Sequence, residues 1–319
     1  MPIQLTGEGS GTEWLNRRKG GIGGSDTVTL MGAGQYDDET PYFVWLKKVE
    51  GYSVPMNPAM QRGIDLEPIV CKHYADRTGY DLRETGLWMH DKHERVIGSP
   101  DRLVYESPDS TEAIGGFEAK TTLSRSAKQY DPEVCPARFE WQVRHYMAIM
   151  NLDWWDVSCL IVDTWETMTW RVWRDHDKEA ALLAAATEFW DTYVEPEIAP
   201  EPDFTMTPLE VAVRYRVPNG KALDLDPDSP EGRQVDDLLA ERALLGAPIK
   251  NAEKRIKEID TELKGIAGEY EEVLLGSERV YSWKPQTREG LDRKRLWSEY
   301  PEIGRRYRTE STFRVLRVS

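Results

Sequence analysis

Apolar positions along the chain recur first at helical spacing, then at strand spacing, then at helical spacing again. Over residues 59–78, Ile64, Val70, Cys71 and Tyr74 fall on one helical face, with Glu67 set among them. A carboxylate in an apolar stripe needs a partner. Pro41 opens a shorter helix over 42–49 that Gly51 stops, and the glycine-rich run 20–24 leads into Ser25 and Asp26, an N-cap type of start. From 87 to 173 the runs shorten and become rich in β-branched and aromatic residues, punctuated by Pro108, Gly115 and Asn151. Strands are expected at 87–90, 95–98, 102–105, 116–121, 155–162 and 167–173, with a helix at 139–150 between the fourth and fifth and another at 178–194.

Pro196, Pro200 and Pro202 then mark a change of character. Residues 231–270 are charged and helical, with Val235, Leu238, Leu239, Leu244, Leu245, Ile256, Ile259 and Leu263 as an apolar seam. Gly246 and Pro248 are expected to break this stretch into a helical hairpin. Short strands at 279–283 and 313–318 flank a helix at 292–300. The expected architecture is an α/β domain over 1–200, with a mixed central sheet flanked by helices. A helical-hairpin and small-β accessory module follows over 201–319.

Composition narrows the class. The chain has 319 residues, no apolar run of membrane-spanning length, and no basic-then-apolar start of the secretory kind, so a cytoplasmic protein is expected. Three widely spaced cysteines, Cys71, Cys135 and Cys159, fit reduced thiols rather than a disulfide framework or a four-cysteine cluster. A net charge of −15 argues against wholesale phosphate binding, although a local basic channel can sit within an acidic exterior. Residues 288–317 are such a local exception, with nine Lys and Arg against five acids, a segment expected to touch DNA or a neighbouring subunit.

Candidate chemistry gathers at Ser99-Pro100-Asp101 and Phe117-Glu118-Ala119-Lys120. Residues two apart on a strand share a face, so Glu118 and Lys120 project together, and hairpin pairing brings Asp101 beside Glu118. Two carboxylates and the Ala119 carbonyl make a hard oxygen site suited to Mg²⁺ or Mn²⁺. Lys120 beside them can orient or help deprotonate a water and stabilise charge on a phosphoryl group. Alone, Glu-x-Lys also fits a solvated strand face; the order Glu67, Asp101, Glu118 favours the chemical reading. His90 and His93 are too sparse for a metal site. Ala119-Lys120-Thr121 lacks the glycine loop of a P-loop, and the 20–24 run lacks a Rossmann context. The tryptophans, Trp155, Trp170 and Trp173 among them, alternate on strands and are expected in the core rather than stacked on bases.

Pro100-Asp101 followed by Glu118-Ala119-Lys120 resembles the PD-(D/E)XK nuclease signature. Trp14-Leu15-Asn16-Arg17-Arg18 with Gly20 and Ser25, Gly63 to Glu67, and Gln142-Val143-Arg144-His145-Tyr146 extend the likeness to lambda-exonuclease and YqaJ-type viral recombinases over roughly 13–175. The ending from Leu291 to Arg314 is similar to YqaJ-type phage proteins as well. The resemblance implies a PD-(D/E)XK core with Asp101, Glu118, the Ala119 carbonyl and Glu67 at the metals. It makes Lys120 catalytic and Gln142 the residue that positions it, with Tyr146 in support. Arg18, Ser25 and Ser99 would form a 5′-phosphate pocket, with Arg17 the adjacent alternative to Arg18. The bland readings are a surface cation for Arg18, an N-cap for Ser25 and an exposed helix residue for Gln142. The implied activity is 5′-to-3′ resection of linear double-stranded DNA, from a homo-oligomeric ring, for a single-strand annealing partner in a bacterial cell. A structure-selective or site-specific endonuclease and a non-catalytic DNA-binding scaffold are the alternatives.

Overall fold

The computed structural model describes residues 2–6, 17–202, 206–287, 290, 292–309 and 314–318. Trp14, Leu15 and Asn16, quoted above, lie outside them, as do Leu291 and Phe313. The chain divides into two compact units, Met1–Arg216 and Val217–Ser319.

The first unit runs β1 (Ile3–Thr6), α1 (Gly24–Leu30), α2 (Pro41–Val49), α3 (Pro58–Thr78), β2 (Asp81–Glu84), β3 (Leu87–Met89), β4 (Ile97–Gly98), β5 (Arg102–Tyr105) and β6 (Gly115–Thr122). It continues through α4 (Ser124–Ala127), α5 (Ala137–Met150), β7 (Trp154–Ile161), β8 (Glu166–Trp173), α6 (His176–Phe189), a π turn (Trp190–Val194) and α7 (Pro208–Arg214). Five strands form one mixed sheet in the order β2-β5-β6-β7-β8. Only β6 and β7 are parallel, and the α4–α5 crossover that a parallel pair requires lies between them. β1, β3 and β4 make a second, smaller sheet.

Helices cover both faces of the main sheet. Val70, Cys71 and Tyr74 of α3 pack on Val104, Phe117 and Leu160. Val143, Tyr146 and Met147 of α5 pack on Leu103, Trp155 and Val157 on the opposite face. Strand alternation sends Phe117 to the α3 side, so its neighbours Gly116 and Glu118 face α5. α3 is bounded as its ends dictate. Asn57 accepts from the Ala59 and Met60 amides, both at 2.9 Å, Pro58 opens the first turn, and Gly79 closes it at φ +76°. Two glycines begin β6 because two indoles lie across them. A Cβ at Gly115 would sit 2.4 Å from the Trp154 ring, and one at Gly116 would sit 2.3 Å from the Trp155 ring.

Several sequence expectations change here. Gly23, not Ser25, is the N-cap of α1, and the Asp26 carboxylate accepts the Gly23 amide at 2.9 Å. Ile64 is 56% exposed, so the apolar stripe of α3 runs through Leu66, Val70, Cys71 and Tyr74 and leaves Ile64 out. Trp155 and Trp170 are buried, but Trp173 is 59% exposed at the last position of the edge strand β8. β1 and β2 were not expected. β1 pairs with β3, far along the chain, and β2 passes over β3 and β4 to pair with β5, which local pattern does not carry.

The second unit holds α8 (Pro230–Ala267), β9 (Glu272–Leu275), β10 (Glu278–Ser282), α9 (Arg293–Glu299) and α10 (Pro301–Arg306). The expected hairpin at 231–270 is instead one continuous helix of 38 residues with Pro248 inside it. An interior proline costs about 3 kcal/mol. The long runs of Ala, Leu, Glu, Lys and Arg on both sides propagate the helix through that single defect. Residues 314–318 form no strand; β10 pairs with β9 across Gly276 and Ser277, both at positive φ, as a two-residue hairpin demands. No helix among the described residues is long and apolar enough to cross a membrane.

Candidate active site

Four side chains meet at one end of β6. In the β5–β6 register Arg102 lies opposite Phe117, which puts Asp101 opposite Glu118. The Asp101 carboxylate accepts the Ala119 amide at 2.8 Å. Lys120 Nζ donates to Glu118 Oε1 at 2.6 Å and to Gln142 Oε1 at 2.9 Å. The Gln142 amide nitrogen donates to the same Glu118 oxygen at 2.7 Å and to the Tyr146 hydroxyl oxygen, one helical turn on, at 3.0 Å. Gln142 thus fixes both members of the Glu118–Lys120 pair, and the exposed-helix reading of it does not hold. Beside them opens a cleft of about 300 Å³ bounded by Met60, Gly63, Ile64 and Glu67 of α3 and by Asp101 and residues 118–121.

The electrostatics are those of a charged site held out of water. Burial pushes the Asp101 carboxyl up to about 7, and the Glu118 charge adds to the rise. Burial opposes the Lys120 charge, yet Glu118 and Asp101 outweigh it and hold its pKa above the ordinary lysine value. Lys120 therefore stands as an ammonium, ready to stabilise negative charge without first losing a proton. Burial also pushes the Tyr146 hydroxyl well above its usual range, with Glu118 adding to the rise while Gln142 and the Arg18 charge oppose it.

Glu67 is held apart from the other two carboxylates. Its Oε1 takes a bond from Arg102 at 2.9 Å, and the same guanidinium reaches Glu84 at 3.0 Å. Arg102, directly after the motif aspartate, bridges Glu67 and Glu84, a positioning contact that sequence reasoning missed. Among the described residues no three His, Cys, Asp or Glu side chains converge on one point. The donors still suit a hard cation. Glu118 Oε2 is buried without a hydrogen-bond partner, an orphaned oxygen beside Asp101 and the Ala119 backbone. An unsatisfied buried carboxylate oxygen is costly to the fold, and a divalent ion bound there would satisfy it.

Gly24 and Gly98, the residues before Ser25 and Ser99, both approach the Tyr146 ring, and the Arg18 charge acts on its hydroxyl. A Cβ on Gly24 would lie 3.0 Å from the Tyr146 ring and one on Gly98 2.9 Å from it. The ring is thus wedged between the residues that precede Ser25 and Ser99. Ser25 and Arg18 are exposed and Ser99 is half-buried. The Arg18 carbonyl accepts from Lys48 at 3.3 Å, and Lys48 Nζ forms a buried ion pair with Asp26 at 2.6 Å. Arg17 reaches the Leu5 carbonyl at 2.9 Å, which turns its guanidinium toward β1.

His145, also without an assigned role in the sequence, locks this entry region together. Its Nε2 lies 2.8 Å from the Ile97 carbonyl, which can only accept, so the proton is on Nε2 and Nδ1 accepts from the Thr27 hydroxyl at 2.8 Å. The ring is fully buried, and burial lowers its pKa from 6.5 to about 4. The folded state therefore excludes a proton that the unfolded chain takes up below about pH 6.5. Its stabilising contribution is complete above that pH and is lost as pH falls toward 4. Between pH 7 and pH 5 this group is expected to remove roughly 2 kcal/mol of unfolding free energy. Urea melts at both pH values check it: His145→Gln should flatten the pH dependence by about that amount, and an unchanged dependence would sink the assignment.

Residues 13–153 match the YqaJ-like viral recombinase domain family, so the resemblance read from the sequence stands over that stretch. The YqaJ protein of Bacillus subtilis is 27% identical over 315 residues, 96% of this chain and 93% of that protein. An alkaline exonuclease from Laribacter hongkongensis is 24% identical, with a TM-score of 0.47 over 58% of this chain and 93% of its own. A phage-related exonuclease from Haemophilus somnus is 16% identical, with a TM-score of 0.40 over 56% of this chain and 96% of its own.

Proposed function

We propose that this chain is a divalent-metal-dependent deoxyribonuclease of the lambda-exonuclease type that resects linear double-stranded DNA from its 5′ ends. The observation that carries this reading is the Asp101, Glu118, Lys120 and Gln142 cluster with its orphaned Glu118 oxygen. Asp101, Glu118 and the Ala119 carbonyl would hold Mg²⁺ or Mn²⁺, with Glu67 an additional acid near the metal, which when bound polarises the phosphodiester and lowers the pKa of an attacking water. Gln142 holds Lys120 so that its ammonium faces the charge that develops on the phosphoryl oxygens. The chemistry belongs to the domain over 1–200, and 201–319 is accessory. The 3′ strand left behind would serve a single-strand annealing protein, and a homo-oligomeric ring around the duplex belongs to the same reading.

End-labelled linear duplex and covalently closed circular DNA, each with Mg²⁺ and with chelator, test it. Label released from the linear duplex alone, and only without chelator, is expected. Comparable cutting of the circle would make the chain an endonuclease. No cutting of either substrate with Mg²⁺ or Mn²⁺ would leave a binding scaffold.

The chain is also expected to read the chemical state of the DNA end. A terminal phosphate carries more charge than an internal one, and a guanidinium contact to it is worth about 1.5–3 kcal/mol. Arg18, Ser25 and Ser99 would make that contact. Duplex bearing a 5′-hydroxyl is therefore expected to be digested roughly ten- to a hundredfold more slowly than 5′-phosphorylated duplex. Arg18→Ala should erase the difference. Equal rates on both ends with the unaltered enzyme would rule the pocket out.

A further inference from the structure

We propose that α8 is one helix of a parallel coiled coil formed between copies of this chain. Its apolar positions repeat every seven residues with alternating steps of three and four. One set is Val235, Arg242, Ile249, Ile256 and Leu263; the other, three residues on from each, is Leu238, Leu245, Ala252, Ile259 and Ile266. Nine of these ten are apolar, sustained over four heptads, a pattern that specifies a left-handed coiled-coil seam rather than packing on a globular core. The seam is not covered in the single chain: Leu245 is 59% exposed, Ile249 58%, Ile256 57% and Ile266 72%. The stretch from 235 to 266 spans about 48 Å at the rise of an α-helix. Monomeric proteins rarely leave an apolar stripe of that length in water. Gly246 and Pro248 flank the seam without falling on it, so the seam runs unbroken past both.

A second copy is the occupant that the charges select. A straight heptad seam is self-complementary, and register and orientation are then decided by its one polar member and by the flanking charges. With two copies parallel and in register, the two Arg242 side chains lie side by side, each next to Glu241 of the other copy, and Arg255 faces Asp260 of the other. Within its own helix Arg255 rests on Glu258 at 3.1 Å and Glu262 at 3.4 Å, exposed pairs that contribute little and exchange readily. An antiparallel pairing with the seam ends aligned sets Glu241 against Glu262 and leaves Arg242 over Ile259. Like charges and an unpaired cation disfavour that arrangement. The proposal stands apart from the nuclease reading, because it uses none of the site residues.

A cysteine at the far end of the seam separates the possibilities. In the full-length chain, Ile266→Cys is expected to cross-link under mild oxidation to a species of twice the 36.7 kDa chain mass. The yield should fall at least tenfold when Ile249→Asp and Ile256→Asp are added, with circular dichroism reporting that the helix content is kept. A yield no higher than that of the unaltered chain, with its three natural cysteines, would mean that something other than a second copy covers the seam and would overturn the proposal. So would a cross-link indifferent to the two aspartates. In a mixture of Val235→Cys and Ile266→Cys chains, preferential joining of 235 to 266 would overturn the parallel arrangement.

Discussion

Glu118→Gln is expected to lower the rate of DNA cleavage by about a thousandfold or more, and Asp101→Asn and Lys120→Met by similar factors. Each removes one of the few groups that can meet the charge of a phosphoryl transition state. Glu118 carries the orphaned oxygen. Asp101 is the carboxyl whose burial beside Glu118 lifts it to about 7. Lys120 is the cation bonded to Glu118 and Gln142. Stability should move differently. Asp101 and Glu118 repel one another, so in the presence of chelator Asp101→Asn is expected to melt at the same temperature as the unaltered protein or above it, as groups kept for function rather than for folding do. Single-turnover cleavage beside a thermal melt reads both quantities. Activity within about tenfold of the unaltered enzyme in any of the three variants would sink the site assignment.

Gly116→Val is expected to cost more than about 3 kcal/mol of folding free energy, the upper end of overpacking effects. The contact is backbone-fixed: the new Cβ would lie 2.3 Å from an indole that is itself fully buried under α5. Trp155 has no room to turn aside, because Tyr146 packs on it with ring centroids 5.6 Å apart. Either the indole leaves the core or β6 separates from β7, and the second course would carry Glu118 with it. Chemical denaturation of the variant checks the figure. A loss below about 1 kcal/mol would mean that the indole can move after all and that the glycine is not what admits it.

The site was legible in the sequence to the extent that it obeys strand geometry. Glu118 and Lys120 share a face because strands alternate, and Asp101 reaches Glu118 because β5 and β6 are neighbours in sequence as well as in space. Gln142 and Tyr146 were legible as a helical i, i+4 pair, but their bonds to Glu118 depend on how α5 lies across the sheet. Arg102 was not legible: an arginine after a motif aspartate has the same pattern as a surface cation until Glu67 and Glu84 are seen on either side of it. His145 was hidden for the opposite reason, since a buried histidine in an amphipathic helix looks like any other interior position. In the second unit, proline was weighed as a local breaker while helix propagation is cooperative over many residues. The Gly276-Ser277 turn, by contrast, is a two-residue hairpin signal that the sequence did contain.

The buried Asp26–Lys48 pair bears on any attempt to make this protein more robust. Replacing a buried ion pair with well-packed apolar side chains is a common route to a higher melting temperature. Here the same two residues take the Gly23 amide and the Arg18 carbonyl, so they hold the backbone on both sides of the glycine-rich turn. An engineer who removed them for heat tolerance would gain packing and free that turn in one step. If Arg18 reads the DNA end as proposed, the loss would first show as weaker discrimination between 5′-phosphate and 5′-hydroxyl ends, with cleavage itself unchanged.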